Sequence, residues 1–205
     1  MVVECFFCRA PQRPFIFATV FVKEGPSQTK TTNFLNDQTT KKMKTTTLDL
    51  SMQLSENFTL EEFVRSETAA KYNIANVPSW EHVINLKNLC EQVLQPLRWH
   101  INRPVIINSG YRCERLNEKV HGVGNSQHMR GEAADIRIPT LGVGLQMFDF
   151  IRDNCDFDQM LFESKRNAFG GRIYWLHVSC KRNLKLNRAM AIPNYQLRIN
   201  STFAS

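Results

Sequence analysis

Ser126-Gln127-His128-Met129-Arg130-Gly131-Glu132-Ala133-Ala134-Asp135-Ile136-Arg137-Ile138 is the stretch around which the rest of the chain is read. Alternation of Ala134, Ile136 and Ile138 with Asp135 and Arg137 predicts a strand, with Asp135 on the face opposite the isoleucines. Gly131 permits a sharp turn after His128, and two alanines keep side-chain bulk away from that turn. Far downstream, Trp175-Leu176-His177-Val178-Ser179 alternates in the same way. Leu176, Val178 and Cys180 share one face there, and Trp175, His177 and Ser179 share the other. His128, Asp135 and His177 therefore make a trio of two imidazoles and one carboxylate, each on the polar side of a half-buried strand or at its mouth. Catalytic zinc takes three ligands of these kinds and keeps a fourth position open for water. The trio implies a Zn2+ hydrolase.

The spacing His128-x-x-Gly131-x-Ala133-x-Asp135, followed by His177-Val178-Ser179, resembles the zinc D-alanyl-D-alanine carboxypeptidase family, the M15 peptidases. Ile107-Asn108-Ser109-Gly110-Tyr111-Arg112 and Leu116-Asn117 extend the likeness, which runs from about Leu54 to about Cys180. The resemblance implies a zinc peptidase cutting peptidoglycan stem peptides, either a D,D-carboxypeptidase or a lytic endopeptidase of the endolysin type. It implies that Arg112 anchors the substrate's terminal carboxylate or polarises its carbonyl, a use for which paired guanidinium donors are suited. It also implies that Ser126 donates a hydrogen bond from the lip of the metal loop. Plainer readings stand beside these: Arg112 as an ion-pair partner, Ser126 as a turn residue.

One position departs from the family pattern. The family's general base is usually an Asp or Glu three residues before the second His, and here that residue is Tyr174. A phenol is a poor base at neutral pH. Glu163 is the substitute, since a hairpin would bring its strand beside Trp175-Leu176-His177. Phe162-Glu163-Ser164-Lys165 ahead of His177-Val178-Ser179 also resembles the hedgehog signalling domain, where the matching Glu lies beside the same zinc trio. That likeness implies Glu163 as general base. It equally supports a runner-up, because the hedgehog domain is associated with protein binding: a zinc-containing domain that binds peptide or cell wall with little or no hydrolysis.

Composition sets outer bounds. A chain of 205 residues, 42% hydrophobic and 22% charged, accommodates one domain with a sizeable core plus tails. No run approaches the ~20 apolar residues that span a bilayer. Six cysteines are too few for a disulfide scaffold at this length, and Cys90, Cys113, Cys155 and Cys180 read as reduced, packed thiols. A net charge of +7 favours anionic partners, but the basic residues are scattered, so a nucleic-acid binder rests on charge alone. Residues 1–53 differ from the rest. Cys5-Phe6-Phe7-Cys8 lacks a second pair at zinc-finger spacing. The apolar run Pro14–Val22 has the makings of a secretion-signal core but no small-residue cleavage site after it. Thr31–Thr47 reads as linker. Whether this segment is native, or Met43 or Met52 the true start, stays open.

Within the domain, Thr59 with Glu62 predicts a capped helix running to about Ala70, and Ser79 caps a second along Val83, Leu86, Cys90, Val93, Leu94 and Leu97. Pro96 is expected to kink or end that helix. Pro104–Ile107 reads as a buried strand, Leu145, Phe148 and Ile151 as a helix. Phe157–Glu163 and Ile173–Cys180 read as a strand pair about the turn Asn167–Gly171. The expected fold is a single small α+β domain over residues 54–190, with a tail at 191–205. Its helices pack on one small, mainly antiparallel sheet that carries a zinc cleft. The expected site is His128, Asp135 and His177 on Zn2+, Glu163 and Arg112 in catalysis, and Arg112 and Ser126 on substrate. The expected partner is a peptidoglycan stem peptide, with no nucleic acid and no transmembrane segment, and the chain acting as a monomer. Its place of action is the cell wall, reached from the periplasm or outside, or from the cytoplasm on release if phage-encoded.

Overall fold

A computed structural model describes residues 48–193, and Cys5–Cys8, the apolar run and the Thr-rich stretch lie outside them. Two sheets form. Strands β1 (Gln53–Ser55) and β2 (Phe58–Thr59) make a small antiparallel pair. The main sheet holds β3 (Ile107–Ser109), β4 (Ala133–Arg137), β5 (Gln159–Arg166), β6 (Arg172–Ser179) and β7 (Met190–Ile192). Their order is β3-β4-β6-β5-β7, antiparallel throughout except for β7 beside β5. Helices α1 (Leu60–Val64), α2 (Glu67–Lys71), α3 (Trp80–Leu89), α4 (Gln95–Ile101), α5 (Glu114–Lys119) and α6 (Leu141–Asn154) complete an α+β domain.

Register decides which side chains meet. Ala134 pairs Val178, which pairs Met160, and Ile136 pairs Leu176, which pairs Phe162. All six are buried, so these rows form the inner face. The intervening rows, Asp135–His177–Leu161 and Arg137–Trp175–Glu163, occupy the other face. The alternation in both strands thus sorts one face into core and the other into cleft. Against the inner face lie α6, through Met147, Phe148 and Ile151, and the α3–α4 stripe of Leu86, Leu89, Val93, Leu94 and Leu97. Each large side chain buried this way stabilises the fold by about 2 kcal/mol.

The expected first helix is two helices. Thr59 N–H donates to Glu62 Oε1 at 2.9 Å as the capping box requires, but α1 stops at Val64 and Arg65 is extended. Two carbonyls near its end are claimed from outside: Phe63 O accepts from Tyr111 N–H at 2.8 Å and Val64 O from Asn76 Nδ2 at 2.9 Å. Ser66 then caps α2, accepting from Ala69 N–H at 3.2 Å. The second helix is not broken by Pro96. A π-helical turn at Cys90–Leu94 shifts the hydrogen-bond ladder, so Pro96 falls in the first turn of α4, where its missing N–H costs nothing. The strand expected at Pro104–Ile107 pairs only at Ile107–Ser109, and Ile106 is exposed while Val105 and Ile107 are buried. Proline has no N–H for the ladder. Helix α5 and strands β1, β2 and β7 are too short to show a period in the sequence. Cys90, Cys113, Cys155 and Cys180 carry free thiols. Among the described residues no helix is long and apolar enough to cross a membrane.

Candidate metal centre

His128 sits in a short 3₁₀ turn, Gln127–Arg130, that ends at Gly131 in the left-handed region with φ +69°. A Cβ at Gly131 would stand 2.4 Å from the carbonyl oxygen of His82, so glycine is required both for the turn and for the approach to α3. Asn85 of α3 fastens the same turn, donating Nδ2–H to Arg130 O at 2.8 Å. His128 is buried and its Nδ1 lies 2.7 Å from Gly110 O. A carbonyl can only accept, so Nδ1 carries the proton and Nε2 presents a lone pair to the cleft.

That Nε2 lies 3.2 Å from His177 Nδ1 and 3.3 Å from Asp135 Oδ1, and His177 Nδ1 lies 3.0 Å from the same Oδ1. Asp135 and His177 are register partners on adjacent strands, which explains their contact. Ligands about 2.0–2.2 Å from a common tetrahedral zinc stand roughly 3.3–3.6 Å apart. The triangle's edges of 3.0–3.3 Å reach only the lower end of that spacing, so a small outward shift of the side chains would seat an ion; the donors are a zinc set, and together the three residues offer atoms that could hold one ion. Burial alone would raise the Asp135 carboxyl, but the two imidazoles outweigh it and hold the group far below the usual carboxylate range.

The structure brings the other predicted residues to the same cleft in differing ways. Arg112 donates through Nη2 to Asp135 Oδ2 at 2.7 Å and through Nε to Ser109 Oγ at 2.9 Å. Its guanidinium thus faces the Asp135 carboxylate, leaving Oδ1 turned to the imidazoles. Ser126 is buried, and its Oγ makes no hydrogen bond among the described residues while lining the cleft. Glu163 stands one row along from His177 on the same face, where Trp175 Nε1–H donates to its Oε2 at 2.8 Å. Tyr174 falls on the inner face, its ring edge-on to Phe162 with centroids 6.2 Å apart. Because 174 and 177 differ by an odd number along a strand, the residue at 174 points away from His177.

The cleft has a volume of about 580 Å³ and runs past His128, His177 and Glu163. A second depression of about 600 Å³ adjoins it through Arg112, Gly122 and Glu163, with Asp135, His121 and Trp175 in its wall. His82 instead packs tilted against Tyr111, and His100 stacks on Phe150. One cluster escaped the sequence reading. Asp158 is fully buried beside the cleft and is gripped by Arg188 (2.6 Å), Lys181 (2.9 Å) and Gln127 (2.8 Å). Burial opposes its ionisation, but these donors prevail and lower the carboxyl far below its ordinary value. No motif marks Asp158, whose partners come from the His128 turn and from the connection between β6 and β7. The family model for Peptidase M15 matches residues 56–179, a span that includes His128, Asp135, Glu163 and His177. No curated protein matches the chain.

Proposed function

The chain belongs to the peptidase M15 family, and on that premise we propose that its cleft hydrolyses peptide bonds in peptidoglycan stem peptides, terminal or internal. The observation that carries this reading is the convergence of His128 Nε2, His177 Nδ1 and Asp135 Oδ1 within 3.3 Å of one another, with Glu163 on the same face. Zinc held by those atoms supplies Lewis acidity, lowering the pKa of water to near 7 and polarising a carbonyl. Glu163 takes the proton of the attacking water and returns it to the leaving amine. Trp175 holds Oε2, which leaves Oε1 for that transfer. Arg112 orients the Asp135 carboxylate, and Gly110 O orients His128. The Ser126 hydroxyl, without a partner of its own among the described residues, donates to the substrate backbone.

Product masses from isolated peptidoglycan treated with zinc-loaded protein test the reading and name the bond. The expected result is released D-alanine or a split stem, abolished together with zinc uptake in His128→Ala. Glu163→Gln keeps zinc and loses about 10²–10⁴-fold in turnover. Normal turnover by Glu163→Gln would place the base elsewhere. Zinc uptake with no product from any stem peptide would favour a domain that binds without cutting.

A further inference from the structure

We propose that Lys181 and Arg188 form a carboxylate-binding subsite, so that the preferred substrate is a peptide bearing a free carboxylate two or three residues from the scissile bond. The proposal rests on the peptidase reading and adds its substrate class. Both side chains line the cleft that contains His128 and His177. Arg188 Nε donates to Asp158 Oδ1 at 2.9 Å and its Nη2 to Oδ2 at 2.6 Å, while Lys181 Nζ lies 2.9 Å from Oδ1 and also donates to Leu186 O at 2.8 Å. The carboxylate beneath them is fully buried, but the Arg188 side chain is 50% exposed. A hidden anion therefore holds two cations in place and neutralises only one.

The other cations of the cleft are already matched. Arg112 pairs with Asp135 and Arg130 with Glu132. One positive charge is left over on the cleft wall, at Lys181 and Arg188, and Nη1 of Arg188 makes no hydrogen bond among the described residues. A guanidinium fixed by a buried partner loses little freedom when it meets a second carboxylate, so the contact is favourable and directional.

Strand rise sets how far the backbone at Asp158, one residue before β5, lies from the His177 row. Asp158 lies three residues before Leu161, the register partner of His177. At about 3.3 Å per residue that is about 10 Å, the span of roughly three residues of an extended peptide. Glu163 lies two residues beyond Leu161 in the other direction. The cationic pair and the carboxylate base thus flank the His177 row from opposite sides.

The test uses zinc-loaded full chain and three synthetic stem pentapeptides: the free acid, one amidated at its internal acidic residues, and one amidated at the C-terminus. The expected result is a KM at least tenfold higher for one amidated peptide than for the free acid, with kcat within threefold. Which amide has the effect identifies the carboxylate as internal or terminal. Arg188→Gln brings that KM ratio to about one, Arg188→Lys restores part of it, and Lys181→Gln gives the same readout should Arg188→Gln not fold. Equal KM for all three peptides on the unaltered chain overturns the subsite, as does an unchanged ratio in Arg188→Gln. If no peptide is cleaved, the peptidase reading fails separately, and calorimetric binding decides the subsite. Tenfold tighter binding of the free acid than of one of the amides supports it; equal binding of all three overturns it.

Discussion

Replacing Gly131 with alanine adds one methyl group, and the structure says what that methyl meets. Gly131 has φ +69°, a conformation that costs an L-residue about 1–2 kcal/mol. The new Cβ would also lie 2.4 Å from His82 O and 3.1 Å from His82 C and Cα. These are backbone atoms of α3 and cannot rotate aside, so the clash adds the roughly 1–3 kcal/mol typical of overpacking. The sum is about 2–5 kcal/mol. Gly170 supplies the control. It has φ +80° but nothing within 4 Å of where a Cβ would stand, so Gly170→Ala costs only the backbone part, about 1–2 kcal/mol. At about 2–4 °C per kcal/mol for a domain of this size, Gly131→Ala should melt roughly 4–20 °C lower and Gly170→Ala roughly 2–8 °C lower. Gly131 lies between His128 and Asp135, so moving α3 away from the turn should also weaken zinc binding, which Gly170→Ala leaves alone. Thermal melts and a zinc competition titration read both effects. Equal melting losses in the two variants, with zinc affinity unchanged in Gly131→Ala, would refute the close-approach argument.

Trp175→Phe removes the N–H that holds Glu163 Oε2, so kcat should drop about tenfold with zinc content unchanged; Tyr174→Phe, altered on the opposite face, should stay within twofold of the unaltered chain in the same assay. Zinc at a thousand times its dissociation constant should add about 4 kcal/mol to unfolding stability in denaturant titrations, and His128→Ala should show no such response. Asp158→Asn leaves the partly exposed Lys181 and Arg188 facing a neutral amide and should cost about 1–3 kcal/mol. The acid limb follows from the same residue. The folded Asp158 carboxyl titrates below its unfolded value, so the unfolded chain binds the extra proton. Its stabilisation is complete above about pH 4 and is lost as pH falls through the folded value. Melting curves between pH 5 and about pH 2 should therefore fall less steeply for Asp158→Asn than for the unaltered chain, and parallel curves would count against the assignment.

Local signals in the sequence were enough for the α+β class and for singling out His128, Asp135 and His177, which the structure brings together as a candidate trio. Period-two alternation at residues 134–138 and 175–180 reports the inner and outer faces of strands directly, because a half-buried strand has no other way to divide its side chains. The same alternation placed Asp135 and His177 on cleft-facing sides, and the caps at Thr59 and Ser79 were written in adjacent residues. The end of α1 escaped through long-range competition, since Tyr111 and Asn76 take the carbonyls that would have continued it, whereas a π turn within the second helical run itself spares α4 its proline. Tertiary structure alone decided that Arg112 faces Asp135 and that Trp175 holds Glu163. It also gathered Gln127, Asp158, Lys181 and Arg188 from separate segments onto one cleft wall. Strand register sets those pairings. A shift of one residue would turn each strand's faces over, and register follows from the packing of the whole sheet rather than from any single stretch of chain.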